Sequence, residues 1–305
     1  CARAQGGGHE RAEGRQRRGC CDFDRLDFLW VQVSLPADPP CPECPARDYA
    51  VLGMRVVGPG EMPKLGKGGT LASQRAILHS LAHIESWAVD LAWDVVARFG
   101  RQASYALPRA FFSDWVQVAE DEARHFSLLA ARLAAGGSSY GALPVHDGLW
   151  ESAAKTSYSL GARLAVEHCV HEARGLDVLP QTISRLRNGG DAESADLLQD
   201  VIYEEEITHC AAGVRWLTHL HALALSDAAD DSCEWVREAR AHTSVEGWFH
   251  SLMRQNFKGV LKPPFNEEAR AKAGFGPEWY LPLTTRGDGD KPGTTLPPGS
   301  TGHAA

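Results

Sequence analysis

No apolar run in this chain of 305 residues approaches the roughly 20 residues needed to cross a bilayer, and no charged start leads into an apolar signal core. A soluble protein without a membrane partner is expected. Nor is there an excess of positive charge: 31 Lys and Arg stand against 39 Asp and Glu, a net charge of −8, which argues against general nucleic-acid binding. Cysteine is sparse and scattered, at Cys1, Cys20, Cys21, Cys41, Cys44, Cys169, Cys210 and Cys233, without the density of a disulfide scaffold. A reducing, intracellular setting is expected, by default the cytoplasm. Organelle targeting stays open because the chain begins with Cys. Cys41 and Cys44 have zinc-knuckle spacing but no second pair accompanies them, so they are read as part of a Pro-rich loop. No internal repeat is present.

What is there is helical periodicity. Residues 1–35 are expected to be disordered and 36–69 to form an extended Pro/Gly-rich segment packed on the helical domain. The domain proper spans 70–283, and 284–305 form a disordered tail. A first helix runs from near Thr70 to Phe99, and Pro108 opens a second that stops at Gly136-Gly137. Asp147 is a plausible cap for a third run, which Gly175 and Pro180 should kink or break. A fourth helix comes after Asn188-Gly189-Gly190, and a weaker fifth covers about Asp230 to Asn256 before a loop-rich end.

Each of the four main stripes is interrupted by polar residues on its apolar face. The first carries Glu85; the second carries Glu122 and His125 between Val118 and Leu129; the third carries Glu172; the fourth carries Glu206 and His209. With 20 Glu and 13 His in the chain, a single Glu-x-x-His is a chance-level event. Position is the stronger argument. At about 1.5 Å rise per residue, Glu85 lies at the same depth as Glu122 and His125, and Glu172 at the depth of Glu206 and His209. Two helical hairpins joined by a crossover would bring four carboxylates and two imidazoles to one level. Four ionised carboxylates in an apolar core repel one another and lose hydration, and two divalent cations would resolve that conflict. This inventory is the one used by ferritin-like dimetal proteins. Singly, Glu85 or Glu172 could instead pair with Arg124 or Arg163. His168 and Tyr203, one turn before ligand candidates, could support the site or simply belong to the core. Asp121, Arg124 and Glu205 could orient the imidazoles or be surface charges. Cys169 and Cys210 read as small buried hydrophobes.

The sequence also resembles the ferritin-like proteins catalogued as domain of unknown function 455, over about residues 60–275. The likeness rests on Leu81–Glu85, Ala119–Phe126, His146–Trp150, Glu172–Asp177 and Glu206–His209, with Pro264–Asn266 and Ala273–Phe275 also fitting; residues 1 to about 35 lie outside it. Asp121–His125 is more distantly similar to the metal motif of bacterial multicomponent monooxygenases, and the whole arrangement to di-iron tRNA hydroxylases. The resemblance implies an all-α, ferritin-like antiparallel four-helix bundle with an extra C-terminal helix, and Glu85, Glu122, His125, Glu172, Glu206 and His209 as metal ligands. The expected cofactor is two iron ions, with manganese or a mixed pair as alternatives, and the expected partners are O₂, an organic substrate and an electron donor. Glu122 and Glu206 would bridge, with Glu85 and Glu172 terminal and one His on each ion. The expected activity is that of an oxidase or oxygenase. Iron handling without an organic substrate is the first alternative, and a non-catalytic interaction domain the second.

Overall fold

In a computed structural model, residues 53–285 are described and every regular element among them is a helix, apart from one isolated bridge. The expectations for residues 1–35, for Cys41 and Cys44, and for the tail past 285 lie outside the described residues. Residues 53–69 are irregular, with a 3₁₀ turn at Pro59–Glu61. They are tied to the 138–147 connection by a parallel bridge between Val56 and Val145, in which Val57 N–H donates to Val145 O and Val145 N–H to Arg55 O, both 2.9 Å.

Helix α1 (Leu71–Phe99) starts where the Thr70 hydroxyl accepts from Ser73 N–H, satisfying one of the free donors of the first turn. Helix α2 (Arg109–Ala135) begins after Pro108 and ends at Gly136. The two run antiparallel. Ile77 and Leu78 share a core with Leu129 and Leu133, while Val95 and Phe99 share another with Phe111 and Trp115. A short helix α3 (Gly148–Lys155) packs against α1, its Trp150 stacked on Trp87 with ring centres 5.3 Å apart.

The third helical run differs from the sequence expectation. Asp147 leads only into α3, and the long helix starts afresh at Leu160, where the Ser159 hydroxyl accepts from Ala162 N–H. This helix, α4, consists of an α-helical turn Leu160–Arg163, a π-helical stretch Leu164–His171 and an α-helical stretch Glu172–Asn188. Neither Gly175 nor Pro180 breaks it. Pro180 is exposed, and the Leu176 carbonyl that its missing N–H leaves free accepts instead from Asn266 Nδ2 at 3.1 Å. Helix α5 likewise has an α-helical start Ala192–Leu197, a π-helical stretch Leu198–Ile202 and a long α-helical remainder Tyr203–Leu225.

Helices α4 and α5 are also antiparallel, for Ile183 and Leu186 pack with Ala195 and Leu198, and Ala165 and Cys169 with Leu217 and Leu220. They approach closely at Gly213, where any Cβ would overlap the carbonyl oxygen of His168. Gly213→Ala is therefore expected to lower stability by about 1–3 kcal/mol, as overpacking a tight helix contact does; the shift of the urea midpoint checks this.

The single C-terminal helix expected over about 230–256 is in fact two, α6 (Glu234–Arg240) and α7 (Val245–Asn256), and the end expected to be loop-rich adds the short helices α8 (Glu267–Lys272) and α9 (Pro277–Tyr280). Ser244 and Asn266 each cap a new start, accepting from Gly247 and Ala269 N–H, and Pro277 occupies a first helical position. No helix among the described residues is long and apolar enough to cross a membrane.

Each fully buried Leu or Phe contributes on the order of 1.5–3 kcal/mol, so the large apolar clusters carry the fold. They are separate. One holds the Phe99 and Trp115 end, the other the Leu133 and Leu186 end. Between them lies a polar layer.

Candidate metal centre

The polar layer is made by Glu85 of α1, Glu122 and His125 of α2, Glu172 of α4, and Glu206 and His209 of α5. In two overlapping groups, each residue offers one ligand atom within 4.8 Å of all the others: Glu85, Glu122, His125 and Glu206 in the first, and Glu122, Glu172, Glu206 and His209 in the second. Glu122 and Glu206 belong to both. All are buried except Glu172, which is partly so. His125 Nδ1 lies 3.4 Å from Glu122 Oε2, 3.6 Å from Glu206 Oε1 and 3.8 Å from Glu85 Oε2. His209 Nδ1 lies 3.0 Å from Glu122 Oε1 and 3.9 Å from Glu206 Oε2.

These atoms are left over by the protein itself. Glu122 Oε2, His125 Nδ1 and His209 Nδ1 are buried without a hydrogen-bond partner among the described residues, a cost that folded proteins rarely leave uncompensated. No Arg or Lys among the described residues pairs with the four carboxylates. The pairing of Glu85 or Glu172 with arginine fails, because Arg163 is used by Asp94, Thr156 Oγ1 and Ala153 O, and Arg124 by Asp121 and Glu205. Carboxylate and imidazole donors of this kind suit iron or manganese, so the residues present fit a pair of such ions.

The far nitrogen of each imidazole faces an acid of the opposite helix. His125 Nε2–H donates to Glu205 Oε2 of α5 at 2.8 Å, while His209 Nε2 lies 3.5 Å from Asp121 Oδ2 of α2. Each acid immediately precedes a Glu of the layer in its own helix, and Arg124 joins the two, 2.8 Å from Asp121 Oδ1 and 2.5 Å from Glu205 Oε2. Glu205 thus fixes the His125 ring by a hydrogen bond, and Asp121 is the acid that faces the His209 ring, each imidazole turning its Nδ1 toward the layer. Asp121→Asn and Glu205→Gln are each expected to weaken metal binding about 10–100-fold while leaving the circular dichroism of the chain unchanged, as competition with a chelator would read.

Electrostatics follow from burial and crowding. Burial, then the Glu122 charge, pushes the Glu85 carboxyl well above the usual range, and burial followed by Glu206 does the same to Glu172. Burial and Glu122 raise Glu206 to about 7. Burial alone would also raise Glu122, but His209 and His125 outweigh it and hold that group below the usual range. Burial opposes the charge on both imidazoles; Glu122 and Glu85 nevertheless raise His125 to about 11, and Glu122 and Asp121 raise His209 well above normal. Asp121, facing His209 and hydrogen-bonded by Arg124, falls to about 2. Without metal, the layer keeps itself near neutrality with protons.

Other expected residues are placed less directly. His168 is buried against Trp115, with ring centres 4.3 Å apart and Nδ1 3.8 Å from Glu172 Oε1. Burial and then Arg163 lower it to about 3, so it is a neutral ring. Tyr203 is half-buried, and its hydroxyl accepts from Asn266 Nδ2 at 2.7 Å. Cys169 and Cys210 are buried outside both ligand groups, their thiols pushed up by burial.

Sequence reasoning missed Glu167. It is buried in the π-helical stretch; Oε2 accepts from His171 Nδ1–H at 2.8 Å, and Oε1 has no partner among the described residues. Glu167 and the carboxylates of the layer line a cavity of about 120 Å³, whose remaining wall is largely apolar, including Leu81, Leu91, Leu149 and Leu179. The signal available was a Glu and a His four apart in a run that is apolar apart from these two and His168.

A family described as a protein of unknown function (DUF455) matches residues 17–281. The chain belongs to this family. The match begins well before the residues that carried the resemblance, so the segment from 17 to 35 falls inside it, not outside. An uncharacterized protein of Haemophilus influenzae is 35% identical over 257 residues, 83% of each chain. All six layer residues fall within the family match. No solved structure matches.

Proposed function

We propose that this protein is a ferritin-like four-helix-bundle oxidase or oxygenase with a di-iron centre held by Glu85, Glu122, His125, Glu172, Glu206 and His209. The observation that carries the reading is the pair of overlapping ligand groups with Glu122 and Glu206 common to both. It is supported by the arrangement of one Glu from each of two helices and Glu-x-x-His from each of the other two, the inventory of ferritin-like dimetal sites. Two bound iron ions would supply the electrons that reduce O₂, and with them the oxidation of an organic substrate.

The remaining work falls to the chain's own side chains. Glu85 and Glu172 each belong to one group and would hold one ion apiece; Glu122 and Glu206 would hold both. Glu205 keeps the Nε2 proton of His125 in place, so that Nδ1 is the atom that would give up its proton to bind an ion. The apolar wall of the 120 Å³ cavity limits water beside the carboxylates and admits only a small or slender reacting group. That cavity favours an organic substrate over simple iron oxidation.

The test is anaerobic reconstitution with Fe(II), followed by metal analysis, Mössbauer spectroscopy and exposure to O₂. Two coupled irons per chain and O₂ consumption are expected. Absence of bound iron and of O₂ uptake would end this reading, and iron loading far beyond two per chain would replace it with iron handling.

A further inference from the structure

A second, larger cavity of about 300 Å³ lies on α4 against the segment after α7 and against α8. Its charge is unusual for a protein with a net charge of −8. Arg174, Lys262 and Arg270 line it, against a single carboxylate, Asp177. That carboxylate is already spent: Oδ1 accepts from Asn266 N–H at 2.9 Å and from Arg270 Nε at 2.8 Å, and Oδ2 accepts from Arg270 Nη2 at 2.7 Å.

Arg270 is only 3% exposed, and its guanidinium sits over the rings of Tyr280, Phe265 and Phe275, at 4.5, 4.8 and 5.5 Å from their centres. Its Nη1 is buried with no hydrogen-bond partner among the described residues. Arg174 is half-exposed, and its Nη1 makes only long contacts, 3.3 Å to Lys262 O and 3.4 Å to Asp177 Oδ2. With Arg270 and Asp177 neutralising each other, the pocket keeps the uncompensated charges of Arg174 and Lys262 and the unused Arg270 donor, a set that suits an oxyanion. Phe257, Phe265 and Val170 complete the wall and suit an apolar or aromatic stem.

His171 lines this pocket and also the smaller cavity at the carboxylate layer. We infer that the Arg174–Lys262–Arg270 pocket recognises an organic oxyanion, a carboxylate or a phosphate ester. Given the di-iron reading above, it is the headgroup end of the substrate, whose apolar part passes His171 toward the reacting layer. The substrate class is thus an organic acid or phosphate ester with a slender apolar portion.

The experiment titrates the full chain, metal-free, with benzoate and with inorganic phosphate by calorimetry, while the His171 ring resonances are followed by NMR. One-site binding with Kd of about 1 mM or tighter is expected for at least one probe. Preference for benzoate identifies a carboxylate, and preference for phosphate a phosphate ester. The double variant Arg174→Met/Lys262→Met changes only accessible side chains and should weaken binding at least tenfold without moving the thermal midpoint. Arg270→Lys should weaken it as well, and its thermal midpoint shows whether the buried pair with Asp177 survives. No saturable binding, or binding unchanged in the double variant, overturns the pocket. Binding that leaves the His171 resonances unmoved overturns its link to the reacting layer. Because the titration is done without metal, failure of iron uptake would sink the di-iron reading and leave the anion pocket standing.

Discussion

Glu122→Ala is expected to abolish binding of both metal ions, whereas Glu85→Ala and Glu172→Ala should each leave a chain that retains one. The asymmetry comes from membership. Glu122 supplies an oxygen to each ligand group, with Oε2 3.4 Å from His125 Nδ1 and Oε1 3.0 Å from His209 Nδ1. Glu85 and Glu172 occur in one group each. Losing a shared carboxylate leaves three donors at both positions and removes the charge that holds two cations close together. Metal analysis per folded chain should therefore fall from about two to near zero in Glu122→Ala, and to about one in the Glu85 and Glu172 variants. Equal losses in all three would contradict a shared pair and point to a single ion. His209→Ala belongs with the one-ion class, because it removes a donor from the second group only.

Metal removal is expected to produce the largest change in stability, and that change should grow with pH. In the metal-free protein His125 is raised from 6.5 to about 11. A raised histidine stabilises the fold fully below its unfolded value, and the contribution fades as pH climbs from about 6.5 toward 11. Glu206, raised from 4.5 to about 7, behaves the same way: its protonated form favours the fold, and this is lost between about 4.5 and 7. Glu122 and Asp121 run in the opposite sense, since both are depressed. Their contribution is present above their unfolded values and disappears only in stronger acid. The metal-free layer is thus best tolerated near pH 5 and costs more stability at each step toward pH 8.

Bound metal would reverse that trend, because the ions would compete with the same protons, those on Glu85, Glu172, His125 and His209, and metal affinity would rise with pH. At a free metal concentration one hundred times Kd, each site contributes about 2.7 kcal/mol. For a chain of 305 residues that amounts to roughly 4 °C in thermal midpoint per site. Scanning calorimetry of the metal-free and loaded forms at pH 5.5 and 8 should show a small gap in the first case and a wide one in the second. A gap that stays constant or narrows would mean that the layer does not exchange protons for metal.

Much of the layer was legible in the sequence because helical periodicity is local. An apolar stripe such as Val118, Glu122, His125 and Leu129 reveals its polar intruders by a spacing of threes and fours, and the repetition of Glu-x-x-His at a matching distance from a helix end supplies the depth. The π-helical stretches were not legible. One extra residue per turn has no sequence signature, and it is adopted where it serves the packing and polar contacts of α4 and α5. In this case it places Glu167 beside the same cavity as Glu172, five residues on. The start of α4 at Ser159 instead of Asp147 was ambiguous for a related reason. Both residues are good caps, and only the chain's need to seat α3 against Trp87 separates them.

Asp121 and Glu205 show the same divide at closer range. Each sits next to a ligand Glu, where the sequence permits either a surface charge or a support. Which it is depends on whether α2 and α5 approach closely enough for Glu205 to reach His125 Nε2 at 2.8 Å. Arg270 is a further case: nothing local marks it as buried, and its place against Asp177 and three aromatic rings exists only because the segment after α7 folds back onto α4.

The sequence by itself determined that this chain is helical and that four of its helices carry carboxylates and imidazoles on faces meant for the core, because side-chain spacing along one helix is a property of that helix alone. Which carboxylates two ions would share, which acids hold the imidazoles, and where a small cavity meets a cationic pocket were decided by the tertiary structure. Those relations join residues as distant in the chain as His125 and Glu205, 80 positions apart, and only the packing of one helix on another sets the distance between them.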